Sequence, residues 1–193
     1  MITFQKIRWK NFLSTGDHWS EINFLGNTTN LVVGTNGSGK STMLDALTFS
    51  LFNKPFRKIN KSQLINATNE KDCVVEVEFN VNNKNYLVRR SIKPNKFDIE
   101  VDGNLMHKEA DDRVNQKILE ESILKVNYKS FTQIVILGSS SFVPFMQLST
   151  SNRRDVIEDL LDIRIFSAMN LSLIHISEPT RRYAISYAVF CLK

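Results

Sequence analysis

The run Gly34-Thr35-Asn36-Gly37-Ser38-Gly39-Lys40-Ser41 satisfies the spacing G-x-x-x-x-G-K-[ST] with no gap, and the chemistry these residue types support is the gripping of a polyphosphate. Glycines at 34, 37 and 39 let the backbone turn tightly with no Cβ in the way, so that successive N–H groups can point at one anion. Lys40 adds a mobile ammonium for the β- and γ-phosphate oxygens and is the candidate catalytic residue. The Ser41 hydroxyl is the expected ligand of Mg2+. Asn36 and Ser38 complete the loop, and Thr42 is placed to reach the α-phosphate. The expected ligands are therefore a nucleoside triphosphate and Mg2+.

Such a loop works only between a strand and a helix. Asn30 to Val33 is a short apolar run ending at a glycine and is expected to be a buried strand. Met43, Leu44, Leu47 and Leu51 recur at helical spacing, which predicts an amphipathic helix from Lys40 to Phe52, closed by Pro55. Its N-terminus would add unpaired amides and the positive end of the helix dipole to the phosphate site. Upstream, residues 2–12 and 18–25 read as two strands joined by a turn at 14–17. Downstream, residues 54–71 read as a polar surface loop. Val75, Val77, Phe79 and Val81 alternate with polar residues, a turn follows at Asn82-Asn83-Lys84-Asn85, and Tyr86, Val88, Arg90 and Ile92 alternate back. With Phe97, Ile99 and Val101 before Asp102-Gly103, this predicts an antiparallel meander with one wet face. Residues 108–124 read as a helix with Val114, Ile118 and residues 121–123 inward, 131–137 as a strand, and a last helix from about Ser151 carries Val156, Ile157, Leu160, Leu161 and Ile163. The fold class is α/β.

Bulk composition narrows the function classes. With 42% hydrophobic and 23% charged residues, the chain is neither disordered nor a membrane protein in composition. No apolar stretch has the length of a bilayer span, and the N-terminus carries Lys6, Arg8 and Lys10 where a signal peptide would be apolar. The expected compartment is the cytoplasm, including that of a phage-infected bacterial cell. Two cysteines, Cys73 and Cys191, have no metal-type spacing. The net charge of +5 fits a polyanion partner only weakly. Lys84, Arg89, Lys93 and Lys96 are candidate DNA-facing cations, although alternation does not put them on one stripe. Arg153 and Arg154, near a helix start where the dipole opposes them, are candidates for a phosphate or partner contact or for plain solvated charge.

The loop with its continuation Ser41-Thr-Met-Leu-Asp45-Ala, preceded by Lys10-Asn11-Phe12, together with Ser130 to Gly138 and Arg153 to Ile163, resembles the N-terminal lobe of the SMC-like, SbcC-type ABC ATPases of DNA double-strand-break repair. The likeness is greatest to the phage-type recombination endonuclease ATPase subunit, and it runs from Met1 to about Asn170. It implies a P-loop NTPase head whose two chain ends join across a long coiled coil, and two such heads that sandwich ATP as a homodimer. It also implies double-stranded DNA ends and a nuclease subunit as partners. By the same resemblance Asn11, Phe12, Leu13 and Ser14 would touch the base or ribose, with Phe12 equally open to a core role. A γ-phosphate-sensing glutamine is expected after the meander; the surrounding aromatics place that position on Ser139, while Gln133 lies six residues earlier.

Two motifs of a complete ATPase of this type, an acidic strand end for water activation and a Ser-Gly-Gly signature loop, are not found in these 193 residues. The domain reading is therefore an N-terminal ATPase lobe over 1–170, inactive alone, and a tail over 171–193 that resembles translated adapter read-through and reads as non-native or disordered. Two other functions are open: a chromosome-organising ATPase of the same fold without a nuclease partner, and a P-loop small-molecule kinase, against which the missing arginine-bearing lid speaks.

Overall fold

A computed structural model describes residues 2–26, 29–106, 111–136, 143–161, 163 and 169. They fall into two compact units, residues 1–142 and 143–193.

The first unit is built on a six-stranded sheet of order β2-β1-β3-β4-β5-β6, formed by Ile2–Lys10 (β1), Ser20–Asn23 (β2), Cys73–Val81 (β3), Lys84–Ile92 (β4), Lys96–Val101 (β5) and Asn104–Leu105 (β6). Every pairing is antiparallel. Alternation decides the faces, because successive side chains of a strand point to opposite sides. Ile7, Val75, Val77, Val88 and Ile99 fall on one face and are buried. Arg8, Glu76 and Arg89 stand side by side on the other, where Glu76 accepts from Arg89 Nε at 2.5 Å and from Arg8 Nε. Arg89, a candidate DNA contact, is thus engaged within the sheet. The β3–β4 turn closes on Asn82 and Asn83, both left-handed (φ 51° and 63°), a conformation that asparagine tolerates better than other residues with a Cβ.

Helix α1, Thr42–Phe52, packs on the apolar face against β3 and β4. The expected amphipathic helix is instead buried on nearly all sides, from Asp45 through Phe52. Its hydroxyls are satisfied inside the helix itself: Thr48 Oγ1 donates to Leu44 O (3.0 Å) and Ser50 Oγ to Leu47 O (2.9 Å), so polar side chains can sit in the core without losing a hydrogen bond. Asn53, left-handed at φ 56°, ends the helix by returning its N–H to Phe49 O.

Two expected elements take other forms. Residues 30–33 pair with no strand among the described residues, and Leu31 and Val33 are 87% and 81% exposed. Residues 131–134, read as part of a strand, lie in helix α3, Tyr128–Ile134. The Asn127 side chain accepts from Ser130 N at 2.8 Å and nucleates that helix, and Phe131 packs at 5.1 Å on Phe52.

The predicted helix over 108–124 is split. Asp112–Lys117 (α2) is α-helical and Ile118–Leu124 continues it as a π-helix. Leu119, Ile123 and Leu124 of the π-helical part are buried, while Val114 in α2 is exposed. Arg90 crosses from β4 to join these parts: it is 4% exposed, lies over the Phe97 ring at 3.6 Å, and donates to Ser50 O (3.1 Å) and Gln116 Oε1 (2.6 Å).

In the second unit, helix α4, Thr150–Leu160, is capped by the Ser149 side chain. Of its expected apolar stripe only Val156 is buried, and Ile157, Leu160 and Leu161 are exposed. Residues 171–193 lie outside the described residues.

Candidate functional site

The loop at 34–41 folds as its glycines require. Gly37 and Gly39 adopt φ +87° and +88°, a region closed to most residues with a Cβ. A Cβ on Gly34 would stand 2.5 Å from Ser38 Oγ. The helix begins directly after Ser41, which occupies its N-cap. Within the loop Ser38 N donates to Thr35 O at 3.2 Å, and Thr42 N to Gly39 O at 2.9 Å. The amides of Gly37, Gly39, Lys40 and Ser41 donate to no acceptor among the described residues. Free amides at a helix N-terminus, where the dipole is positive, make an anion cradle.

Those residues open onto a cavity of about 510 Å3 lined by Asn36, Gly37, Gly39, Lys40, Ser41 and Thr42 on one side. The other side comes from two further loops, through Leu13 and Ser14 and through Arg57, Gln63, Ile65 and Ala67. Lys40 Nζ donates to Gly34 O and Thr35 O, both at 2.7 Å, so the ammonium is held in the loop by neutral carbonyls, which a phosphate can displace. The Ser41 hydroxyl makes no capping bond and suits a hard cation that brings phosphate and water oxygens as its other ligands. Among the described residues no group of three His, Cys, Asp or Glu could hold a metal by themselves.

The remaining expected contacts divide. Ser14 Oγ lies 3.6 Å from where a Cβ of Gly39 would sit, which brings it to the phosphate loop, and Leu13 lines the same cavity. Asn11 and Phe12 are not brought to it. Phe12 is wholly buried and stacks toward Phe49 at 5.8 Å. Asn11 is buried in a network, donating to Asp17 Oδ1 (3.1 Å) and accepting from Asn69 Nδ2 (2.6 Å). Gln133 lies on α3 outside the cavity lining, with its Oε1 buried and without a partner among the described residues. Ser139 lies outside the described residues. Arg153 and Arg154 line a separate cavity of about 470 Å3 with Phe145 and Ile157 in the second unit.

Arg57 was not singled out by sequence. Its Nε and Nη2 both meet Asp45 Oδ2 at 2.6 Å, and its backbone N–H meets Oδ1 at 2.9 Å. Asp45, fully buried in the first turn of α1, thus presents a half-exposed guanidinium to the cavity. The available signal was that acid itself, which needs a cation when buried. Residues 54–71, read as plain surface, supply this arginine and one wall of the site.

Residues 6–169 match a protein-family model described as an AAA domain. Exonuclease subunit 2 of Escherichia phage RB69 is 43% identical over 165 residues, covering 86% of this chain and 29% of that protein. The same subunit of Enterobacteria phage T4 is 41% identical over an equal span. The DNA double-strand break repair Rad50 ATPase of Thermoplasma volcanium is 27% identical, over 82% of this chain and 18% of its own length. The chain therefore spans less than a third of each of these relatives. Among solved structures, one described as concerning ATP-driven dimerisation and DNA-stimulated activation of SMC ATPases overlays with a TM-score of 0.57 at 22% identity, over 82% of this chain and 99% of the other. The Smc head domain of Pyrococcus furiosus, solved with the C-terminal domain of ScpA, gives 0.61 at 21%, over 98% and 49%. At these identities the likeness concerns the fold, an α/β P-loop ATPase head.

Proposed function

Because the chain belongs to the AAA domain family, we propose that residues 1–170 are the nucleotide-binding N-terminal lobe of an ATPase in DNA-end processing. The observation that carries this reading is the cavity in which free loop amides, the Lys40 ammonium, the Ser41 hydroxyl and the Arg57 guanidinium face one space. Phosphates of ATP would occupy the amide-lined side. Lys40 would exchange its two carbonyl partners for phosphate oxygens, Ser41 would ligate Mg2+, and Arg57, already aligned by Asp45, would add positive charge. When bound, Mg2+ neutralises charge that develops on the phosphates. Either Gln133 or Ser139 would sense the γ-phosphate.

In this reading hydrolysis needs an acidic strand end and a signature loop that residues 1–170 do not carry, and two heads close on shared ATP. Closure is driven by the tighter binding of nucleotide to the closed state. The names of the phage relatives, subunits of an exonuclease, and of the Rad50 relative support DNA ends and a nuclease subunit as partners, within the cytoplasm of a host cell. Residues 171–193 take no part. The test joins residues 1–170 to the C-terminal portion of the phage-type subunit and measures ATP hydrolysis with and without linear DNA and the nuclease subunit. Stimulation by ends that requires the nuclease is expected. Stimulation by DNA that ignores the nuclease would favour a chromosome-organising ATPase, and hydrolysis indifferent to DNA would refute both.

A further inference from the structure

One side chain organises the wall of the cavity that the phosphate loop does not supply. Asn66 is 9% exposed. Its Nδ2 donates to Leu13 O (3.2 Å) and Thr15 O (3.0 Å), and its Oδ1 accepts from Thr68 N (2.9 Å) and Asn69 N (3.1 Å). Both donors and both lone pairs are therefore used. The partners also fix which way the amide points, since two carbonyls on one side demand donors and two N–H groups on the other demand an acceptor. The Asn66 backbone N–H closes the arrangement on Asn11 O at 2.9 Å.

What this amide holds is a strained corner. Asn11 and Leu13 adopt φ +49° and +53°, the left-handed region that residues with a Cβ avoid. Leu13 N donates to Leu64 O (2.7 Å) and Thr15 Oγ1 to Phe12 O (2.6 Å), and the Asn66 amide adds the tie on the carbonyls of Leu13 and Thr15. Leu13 and Ser14 at the corner, and Ile65 and Ala67 on either side of Asn66, all line the cavity. Three of these four are apolar, which is of no use to a phosphate and suits the flat face of a base.

We propose that Asn66 is a positioning residue that clamps the Leu13–Ser14 corner to the 65–67 segment and so shapes the cavity for the nucleoside part of the nucleotide, leaving the phosphate cradle to the 34–41 loop. This rests on the nucleotide-site reading given above. It also predicts a split between ligands, because inorganic tripolyphosphate offers the cradle everything that ATP does and the corner nothing.

The experiment compares Mg2+-ATP and Mg2+-tripolyphosphate binding by calorimetry to the whole chain and to N66A, N66D and K40A. N66D keeps the two accepted bonds, and hence the 66–69 turn, but opposes the Leu13 and Thr15 carbonyls with a carboxylate. Both Asn66 variants are expected to weaken ATP by ~10-fold or more while tripolyphosphate stays within about twofold, because loss of preorganisation falls only on the ligand that touches the corner. Equal loss for both ligands, as a merely structural role would give, overturns the proposal, and so does unchanged ATP binding by N66D. If N66A does not fold, N66D carries the comparison alone. Tripolyphosphate binding that survives K40A would instead remove the phosphate-loop assignment beneath it, a distinct result.

Discussion

Replacing Lys40 by alanine tests the phosphate cradle at the point where the structure allows a magnitude. Nζ already holds two carbonyls at 2.7 Å, so nucleotide binding does not give the ammonium new bonds from nothing; it trades two charge-to-neutral bonds for two charge-to-charge bonds. Both kinds are charge-assisted and contribute ~1.5–3 kcal/mol net, so moving from the lower to the upper end of that range on meeting an anionic acceptor is worth ~1.5 kcal/mol per bond. Two bonds give ~3 kcal/mol, or a rise in Kd of ~100-fold. Folding should hardly notice, because the lost bonds are exposed ones, and a change within ~1 kcal/mol is expected in a urea titration. Calorimetric titration with Mg2+-ATP reads the first quantity and denaturation the second. An affinity for ATP that falls less than threefold in a folded K40A protein would refute the reasoning, since the ammonium would then not meet the phosphates.

Two predictions concern the fold that carries the site. Arg90→Met removes the donors that hold Ser50 O and Gln116 Oε1 and should lower stability by ~2–3 kcal/mol, because a buried and a part-buried acceptor are left unpaired; a loss under ~1 kcal/mol in urea would show that these bonds are not made in solution. Burial pushes the Cys73 thiol up to about 12 from 9.0. A raised acid pKa favours the neutral folded state, so this contribution is full below the unfolded value and declines as pH rises from about 9 toward 12, by ~1.4 kcal/mol per unit. The stability difference between wild type and Cys73→Ala should therefore narrow by ~2 kcal/mol between pH 9 and 10.5, and a constant difference would contradict the burial.

The phosphate loop was legible because its chemistry fixes residue types at fixed spacing, and the β3–β4 hairpin because an alternating pattern with a tight turn has one solution. Segments whose conformation depends on partners were not. Asn30 to Val33 carries a buried strand's composition without a neighbour to pair with. Thr132, Ile134 and Val135 are β-prone, yet the Asn127 cap and the seat of Phe131 among Phe4 and Phe52 set a helix, as tertiary context commonly does. Arg57 meets Asp45 from twelve positions on, beyond the end of α1, a contact with no periodicity to betray it. Asn66 reads as one polar residue in an Asn-rich stretch, and its bonds to Leu13 O and Thr15 O exist only once two loops are side by side.

The sheet ends on one side in the four residues of β2 and on the other in the two of β6. Borders so short give a foreign strand little to zip onto, and this limits growth of the sheet into fibrils. Self-association at high concentration should then arise elsewhere, at the uncovered Leu31 and Val33 beside the phosphate loop, where a charged substitution such as Val33→Lys would raise solubility while leaving the sheet intact.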